Sequence, residues 1–371
     1  MRSVQVDIIR CISCMMFFIF SVVICHSSDN AKIEDYFGQI EDSLSTKKKF
    51  DSVPGGMRII GLSICSDGLK ELMKKDMVDK KRIIALMDKI VRYSVSDGVC
   101  PYKNVLTTDF KEDGYNLYLT HLEIILLNDM IVTGNKKYKD LVDRIYKHFI
   151  VSINLSKNVH LVSYPGSGMK FPADQSATMY ALWLYDTVND TNNAMRLIDK
   201  WISYIEKNAT YNGLRLPYSE ITGAVWYSKY PRGCATPYLI YYMSRFKKEK
   251  AIFYWENFKS HFKGNLLTLT LFKEWSRIEN GGYYESSLAK WNKKYGLNGD
   301  VDSGPVINDF GAAATGLSLL ASKAAGDEKT YRDISGSIDI CYNVAVGINK
   351  SFSESLNNFL STSIKFTAEI L

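Results

Sequence analysis

"YPGSGMKFPADQSATMYALWLYD", residues 164–186, carries the reading of the fold. A loop rich in Pro, Gly and Ser runs directly into "ATMYALWLY", a segment with no polar face. A helix that is apolar all round has to be surrounded by other elements rather than laid on a surface. Asp174 stands at the junction. Ala177, Ala181, Leu184 and Val188 follow it at helical spacing, so the carboxylate lies over the buried face. Two roles are open to it. As an N-cap it would accept backbone N–H bonds and meet the helix dipole. As an active-site group it would stand over a substrate. The capping-box partner is missing, because position 177 is Ala.

Outward from this stretch, strand signals are sparse and long helical patterns recur. The periodicity predicts helices near 30–48, 67–94, 113–133, 136–155, 174–189, 193–208, 233–247, 249–263, 267–278, 308–325, 327–348 and 350–369. The turns "VTGNKKYKD", "VNDTNNAMR", "SRFKKEKAI" and "KAAGDEKTY" each end one helix and start another within a few residues, which makes neighbours antiparallel. The longer connections, 95–112, 156–173, 209–232 and 279–307, then gather on the opposite rim, where a helical scaffold carries its function. Six hairpins in one chain predict an all-α, single-domain (α/α)6 toroid spanning 28–371. The hairpins lack the fixed repeat length of an open superhelix.

The first 27 residues have the layout of a signal peptide. Arg2 and Arg10 precede a short apolar run from Cys11 to Cys25, and small polar residues follow. The run falls short of the ~20 residues that a spanning helix needs. An exported protein with no stable membrane span after processing is expected, in the periplasm or outside the cell. The formal net charge is +6, or +5 once Arg2, Arg10 and Asp7 leave with the leader. That charge is scattered, and no aromatic interleaving supports nucleic-acid binding. Cys65, Cys100, Cys234 and Cys341 remain, in no CxxC pair, with their pairing open. Neither HExxH nor a calcium-loop spacing is present, so neither metal nor cofactor is expected. A homo-oligomer is compatible with all of this.

Chemistry-bearing residues concentrate in three places. His121 sits in mid-helix in "DGYNLYLTHLEIILL", among Leu117, Tyr118, Ile124 and Ile125, as either a core histidine or a site histidine. "GLRLPYSEITGAVWYSKYPRGCATPYLIYY" packs Tyr218, Glu220, Trp226, Tyr227, Tyr230, Arg232 and Tyr238 into loop and helix start. Such a set can line a small-molecule or sugar pocket, or pack the loop onto the toroid mouth. "GDVDSGPVINDFGAAATGLSLLASKAAGD" places Asp300, Asp302 and Asp309 in a Gly-rich loop before a helix of small residues.

Taken in order, "YLTHLEIILLNDMIVTGNKKY", the loop into "SATMYALWLYD", "WISYIEKNATYNGLRLPYSEITGAV" and the Asp302 segment resemble linalool dehydratase/isomerase, over roughly residues 115–330. The resemblance implies an exported, cofactor-free (α/α)6 enzyme. It matches His121 to an active-site histidine and Tyr218, in "LPYSE", to a substrate-facing tyrosine. Two catalytic cysteines of that family have no counterpart. Asp174 takes the place of the second, and Ser163 or Tyr164 lies near the first. The expectation is acid–base chemistry by Asp174, His121 and Tyr218, with Tyr164, Glu220, Trp226, Tyr227, Arg232 and Asp302 binding a small hydroxylated substrate in a lyase or isomerase reaction. The alternatives are a glycan-processing enzyme on the same toroid, with Asp174 as general acid and Glu220 or Asp302 as its partner, and a non-catalytic binding protein.

Overall fold

The computed structural model describes residues 29–225, 227–276, 302–307, 309–348 and 358–371. The expected leader, Trp226 and Asp300 lie outside them. Twelve helices of two turns or more run through the described residues: α1 (Asp29–Thr46), α2 (Gly55–Lys75), α3 (Lys80–Ser94), α4 (Asn116–Thr133), α5 (Lys139–Leu155), α6 (Pro172–Asn189), α7 (Met195–Asn208), α8 (Ala235–Met243), α9 (Lys248–Phe262), α10 (Ala312–Ala325), α11 (Glu328–Ile348) and α12 (Phe359–Ile370). Three two-stranded antiparallel ribbons decorate the loops: β1 (Thr210–Tyr211) with β2 (Leu216–Pro217), β3 (Lys263–Leu266) with β4 (Leu269–Phe272), and β5 (Val306–Ile307) with β6 (Phe310–Gly311).

The even-numbered helices form a closed inner ring, each packed on the next, with α12 returning to α2. The odd-numbered helices lie outside: α1 on α12, α3 on α4, α5 on α4 and α6, α7 on α6, α9 on α8 and α10, and α11 on α10. This is an (α/α)6 toroid. The burial pattern follows from the two layers. Outer helix α3 buries one stripe, Ile83, Leu86, Met87, Ile90, Val91 and Ser94, at the spacing of an amphipathic helix. Inner helix α4 is buried on every side from Asn116 to Asp129. The tight turns are closed by left-handed residues, Asp76 (φ 58°), Gly134 (φ 72°), Asp190 (φ 53°) and Gly326 (φ 82°), the conformation that caps helix C-termini. Among the described residues, no helix is long and apolar enough to cross a membrane, and no disulfide joins Cys65, Cys100, Cys234 and Cys341.

Three sequence expectations are corrected. The segment 67–94 is not one helix but the end of α2 followed by α3. The turn between them, "KDMVD", contains neither Gly nor Pro, and an aspartate takes the left-handed position. Within the segment expected as a helix at 267–278, the described residues 267–276 hold strand β4 and its exit, and 277–278 lie outside the described residues. "LLTLTLF" alternates with period two, and that pattern belongs to a ribbon. Helix α6 begins at Pro172, which occupies its first turn, where its missing N–H costs nothing.

Two features hold the ring closed. At its axis the Asp67 carboxylate of α2, wholly buried, accepts from Lys70 Nζ (2.8 Å), Tyr180 Oη (2.7 Å), Asn128 Nδ2 (3.0 Å) and Tyr241 Oη (2.9 Å). Arg245 stands 4.0 Å away and donates to Tyr241 Oη. Burial alone would raise the carboxyl's pKa, but Lys70 and Arg245 outweigh it and hold Asp67 ionised, well below the usual range. One carboxylate thereby joins helices α2, α4, α6 and α8. At the seam of α2 and α12 the contact is made by glycine. A Cβ on Gly68 would stand 2.7 Å from Thr367 Oγ1 and 2.9 Å from the Phe366 ring, and one on Gly61 would stand 3.0 Å from Phe359. Thr367 Oγ1 also donates to the Ile64 carbonyl (2.8 Å).

The seam can be tested with a pair of substitutions. Gly68→Ala should destabilise by about 1–3 kcal/mol, the usual cost of overpacking. Gly38→Ala, in α1 with nothing within 4 Å of the added Cβ, should stabilise by about 0.5–1 kcal/mol through helix propensity. Denaturant titration of the two proteins measures the contrast; equal effects at both positions would contradict the close seam.

Candidate active site

Because outer and inner helices alternate along the chain, every connection from an outer to an inner helix emerges on the same rim. The loops before α4, α6, α8 and α10 therefore meet around the N-termini of the inner helices, and Asp174 sits in the first turn of α6. It does not cap that helix. The N-cap position is Phe171, with no side-chain capping bond. Instead Asp174 Oδ2 accepts from Ser163 Oγ at 2.5 Å. Ser163 is itself fixed, its N–H on the Met169 carbonyl and its carbonyl on the Leu117 N–H. The loop thus folds back and aims a hydroxyl at the carboxylate.

Asp174 keeps partial exposure, yet burial of its carboxyl raises the pKa from 3.8 to about 7. The Ser163 bond opposes that rise, and the Asp302 charge adds to it. Asp302, exposed in the loop before α10, also acts on Tyr164, whose hydroxyl is pushed upward by burial, Asp174 and Asp302 together. Tyr164 is 37% exposed, and its Oη would lie 3.4 Å from a Cβ on Gly56 at the start of α2. Asp174, Asp302 and Tyr164 therefore share the mouth of the toroid.

His121 lies beneath, with no exposed surface. Its Nε2 is 2.7 Å from Tyr238 Oη, its ring leans on those of Tyr238 and Tyr242, and its Nδ1 has no hydrogen-bond partner among the described residues. Burial lowers its pKa to about 3, against the pull of Asp67, so the imidazole is neutral. Tyr238, in the first turn of α8, feels both Asp174 and Tyr164 electrostatically and bridges the mouth to His121. The sequence placed Tyr238 in its dense aromatic stretch without linking it to His121. The i, i+4 pair Tyr238/Tyr242 on an inner helix, and Tyr241 with Arg245 just past its end, carried that information.

The remaining expected residues are placed elsewhere on the rim. Both Glu220 oxygens accept from its own loop, from the N–H groups of Thr222 (2.6 Å), Gly223 (2.9 Å) and Ala224 (3.2 Å) and the Thr222 hydroxyl, and one also accepts from the Lys170 N–H of the loop before α6 (3.4 Å). Burial would raise its pKa, but these bonds win and lower it. Glu220 therefore holds the 220–228 loop as an ionised clamp. Arg232 pairs with buried Glu274 at 2.7 Å, its guanidinium 4.7 Å from the Tyr227 ring centre and 5.0 Å from that of Trp275. This is an ion pair sandwiched between aromatics. Tyr218 is half-buried beyond β2; it packs on the core edge and makes no hydrogen bond with His121 or Asp174.

The raised pKa of Asp174 fixes the sign of a stability test. An acid whose folded pKa exceeds its unfolded value favours the folded state at low pH, and that contribution is lost as pH rises from about 4 through about 7. Asp174→Asn lacks the titration. Its melting temperature relative to the parent should therefore rise between pH 5 and pH 8, measured by calorimetry in matched buffers. A difference independent of pH would contradict the shifted carboxyl.

No protein-family model matches the sequence, and no curated protein matches it. Among solved structures the chain resembles an inactive variant of the α-1,6-mannanase GH76A of Salegentibacter sp. HEL1_6, in which two aspartates are replaced by alanine, in complex with α-1,6-mannotetrose. The TM-score is 0.56 at 9% identity, over 92% of this chain and 100% of that one. A weaker likeness, TM-score 0.45 at 12% identity over 82% of this chain and 86% of the other, is to an α-amylase from Clostridium perfringens. At 9% identity the mannanase likeness establishes the toroidal fold over nearly the whole described chain.

Proposed function

We propose that the protein is a glycan-processing enzyme of the glycoside hydrolase type, with Asp174 as its general acid and Asp302 as the second carboxylate. The observation that carries this reading is the pair itself. A carboxyl in the first turn of an inner helix has its pKa raised to about 7, and it feels a second, exposed carboxylate across the same mouth. Glycoside hydrolysis needs two carboxyl groups in different protonation states, one to protonate the leaving oxygen and one ionised. Here the two carboxyls sit in different environments, Asp174 desolvated and Asp302 exposed. Tyr164, exposed beside them, offers an aromatic face to a sugar ring. The mannanase neighbour supports the substrate class through its fold.

Of the two carboxylates considered as partner for Asp174, Asp302 fits better. Glu220 is committed to its own loop amides. The lyase or isomerase reading requires a closed apolar chamber reaching His121. Instead, Tyr180, Tyr238, Tyr241 and Tyr242 fill the axis around that histidine. A substrate is then held at the mouth. There the neutral His121 supports Tyr238 from below.

The mechanism that follows is proton transfer at Asp174. Below its pKa the carboxyl is protonated and donates to the departing glycosidic oxygen. Asp302, the second carboxylate, either activates water or attacks the sugar. The activity of the native protein on neutral oligosaccharides should fall as pH rises through about 7, because the acid is lost. Asp174→Asn should reduce kcat/KM by about 10²–10⁴-fold, and Asp302→Asn should reduce it comparably. Assays of the native protein against a panel of neutral α- and β-linked oligosaccharides, followed by the two variants on whichever is cleaved, test the reading. Full activity of Asp174→Asn would overturn it.

A further inference from the structure

Beside Asp174 the described residues line a second, larger hollow that opens to the surface. A cavity of about 120 Å³ is lined by Glu112, Asp113, His160, Leu161, Val162 and Lys170. One water needs only ~10–15 Å³ of such space. Leu161 lines both this cavity and the small cleft that holds Ser163, Asp174 and Gln175, so the two are separated by a single stretch of chain, residues 161–163.

The chemistry of its wall is mixed in a specific way. Leu161 and Val162 give an apolar floor. Glu112 and Asp113 are exposed carboxylates at its edge, and Asp113 is tied by both oxygens to the Gly166 N–H (3.3 and 3.1 Å). Lys170 is half-buried, with its ammonium on Ser156 Oγ (2.9 Å) and Asn158 Oδ1 (3.2 Å). An ammonium carries three donors, so one N–H is left for a ligand. His160 contributes no proton: its Nδ1 lies 2.6 Å from the Asn158 carbonyl, and its Nε2 accepts from Trp201 Nε1 at 3.2 Å. It is a fixed wall. Two carboxylates against one ammonium disfavour an anionic ligand, while the apolar floor suits the C–H face of a ring. Acceptors and a donor around an apolar floor suit hydroxyl groups, each of which both donates and accepts.

We propose that this cavity is a second sugar subsite, binding an uncharged, hydroxyl-rich ring of an oligosaccharide whose scissile bond lies over Asp174. The inference rests on the glycan-processing reading and extends it: the substrate is a neutral oligosaccharide of at least two rings, gripped on the α4 side of the catalytic carboxyl. Lys170 also ties the two sites mechanically, since its backbone N–H reaches Glu220 and its carbonyl receives the Ile221 N–H. A ring seated on Lys170 thereby meets the loop that Glu220 organises.

The test uses the full chain carrying Asp174→Asn, which binds without turnover. Calorimetry compares mannose with α-1,6-mannotetraose, then with a panel of other neutral tetrasaccharides. The expected result is a tetrasaccharide at least about tenfold tighter than its monosaccharide. Adding Lys170→Met or the exposed Glu112→Gln should reduce that ratio by about tenfold, the worth of one hydrogen bond to a charged group, and Val162→Trp should reduce it at least as far by filling the cavity. Melting temperatures identify which variants are folded, and Glu112→Gln, at an exposed position, remains informative if the other two are not. An unchanged ratio in every folded variant would overturn the subsite while leaving the hydrolase reading intact, provided the native protein cleaves a glycoside. If no neutral sugar binds the Asp174→Asn protein and none is cleaved by the native one, both fall together.

Discussion

The Asp67 carboxylate on the toroid axis is the constraint on which the rest of the structure depends. A ring of six helices has a hole, and side chains must fill it. Here the filling is polar: four of the six inner helices converge on one buried anion through Lys70, Asn128, Tyr180 and Tyr241, with Arg245 close by. A buried anion is tolerable only when its partners stay in place. Each partner is therefore locked into one register along its helix. Register matters here because the same helices present the site. Tyr180 lies six residues beyond Asp174 on α6, Asn128 lies seven beyond His121 on α4, and Tyr241 lies three beyond Tyr238 on α8. Anchoring the lower residue of each pair fixes the height and facing of the upper one.

Above this anchor the polarity changes in steps. The deepest layer is ionised, its Asp67 carboxylate bonded through both oxygens. The middle layer, His121 with Tyr238 and Tyr242, is neutral, since burial lowers the imidazole and raises the phenols. The top layer holds Asp174, a carboxyl that titrates near neutral pH. Within the deepest layer Lys70 and Arg245 balance the Asp67 charge. The pKa of Asp174 is then set locally by desolvation, the Ser163 hydroxyl and Asp302, and that is how a carboxyl is kept protonated near neutral pH without unfolding its surroundings.

Much of the architecture was legible in the sequence, because two-layer helical rings write themselves as alternation between all-apolar and amphipathic helices. "ATMYALWLY" announced an inner helix, and the short charged turns announced the hairpins. The ribbon at β3–β4 was missed because "LLTLTLF" was read by its neighbours' helical context rather than by its own period of two. The α2–α3 turn was missed because Asp76 takes a left-handed conformation that sequence usually assigns to Gly. At the site, Asp174 stood out because its position on a helix face is a local property. The roles of Ser163, Tyr238 and Lys170 depend on how a loop folds back across 11 residues or on which inner helices become neighbours, and no local pattern encodes either. Glu220 shows the converse: a carboxylate in an aromatic loop looks like a ligand for substrate, and its loop claims it through consecutive amides.

The central claim, that Asp174 donates a proton to a departing glycosidic oxygen, is tested most directly by varying the leaving group. Asp174→Asn should be measured on an unactivated oligosaccharide and on the corresponding glycosyl fluoride, whose departure needs no proton. If Asp174 is the general acid, the variant loses orders of magnitude on the first and stays within about tenfold of the native protein on the second. Equal loss on both would mean that Asp174 shapes the site without donating a proton, and the account would be wrong.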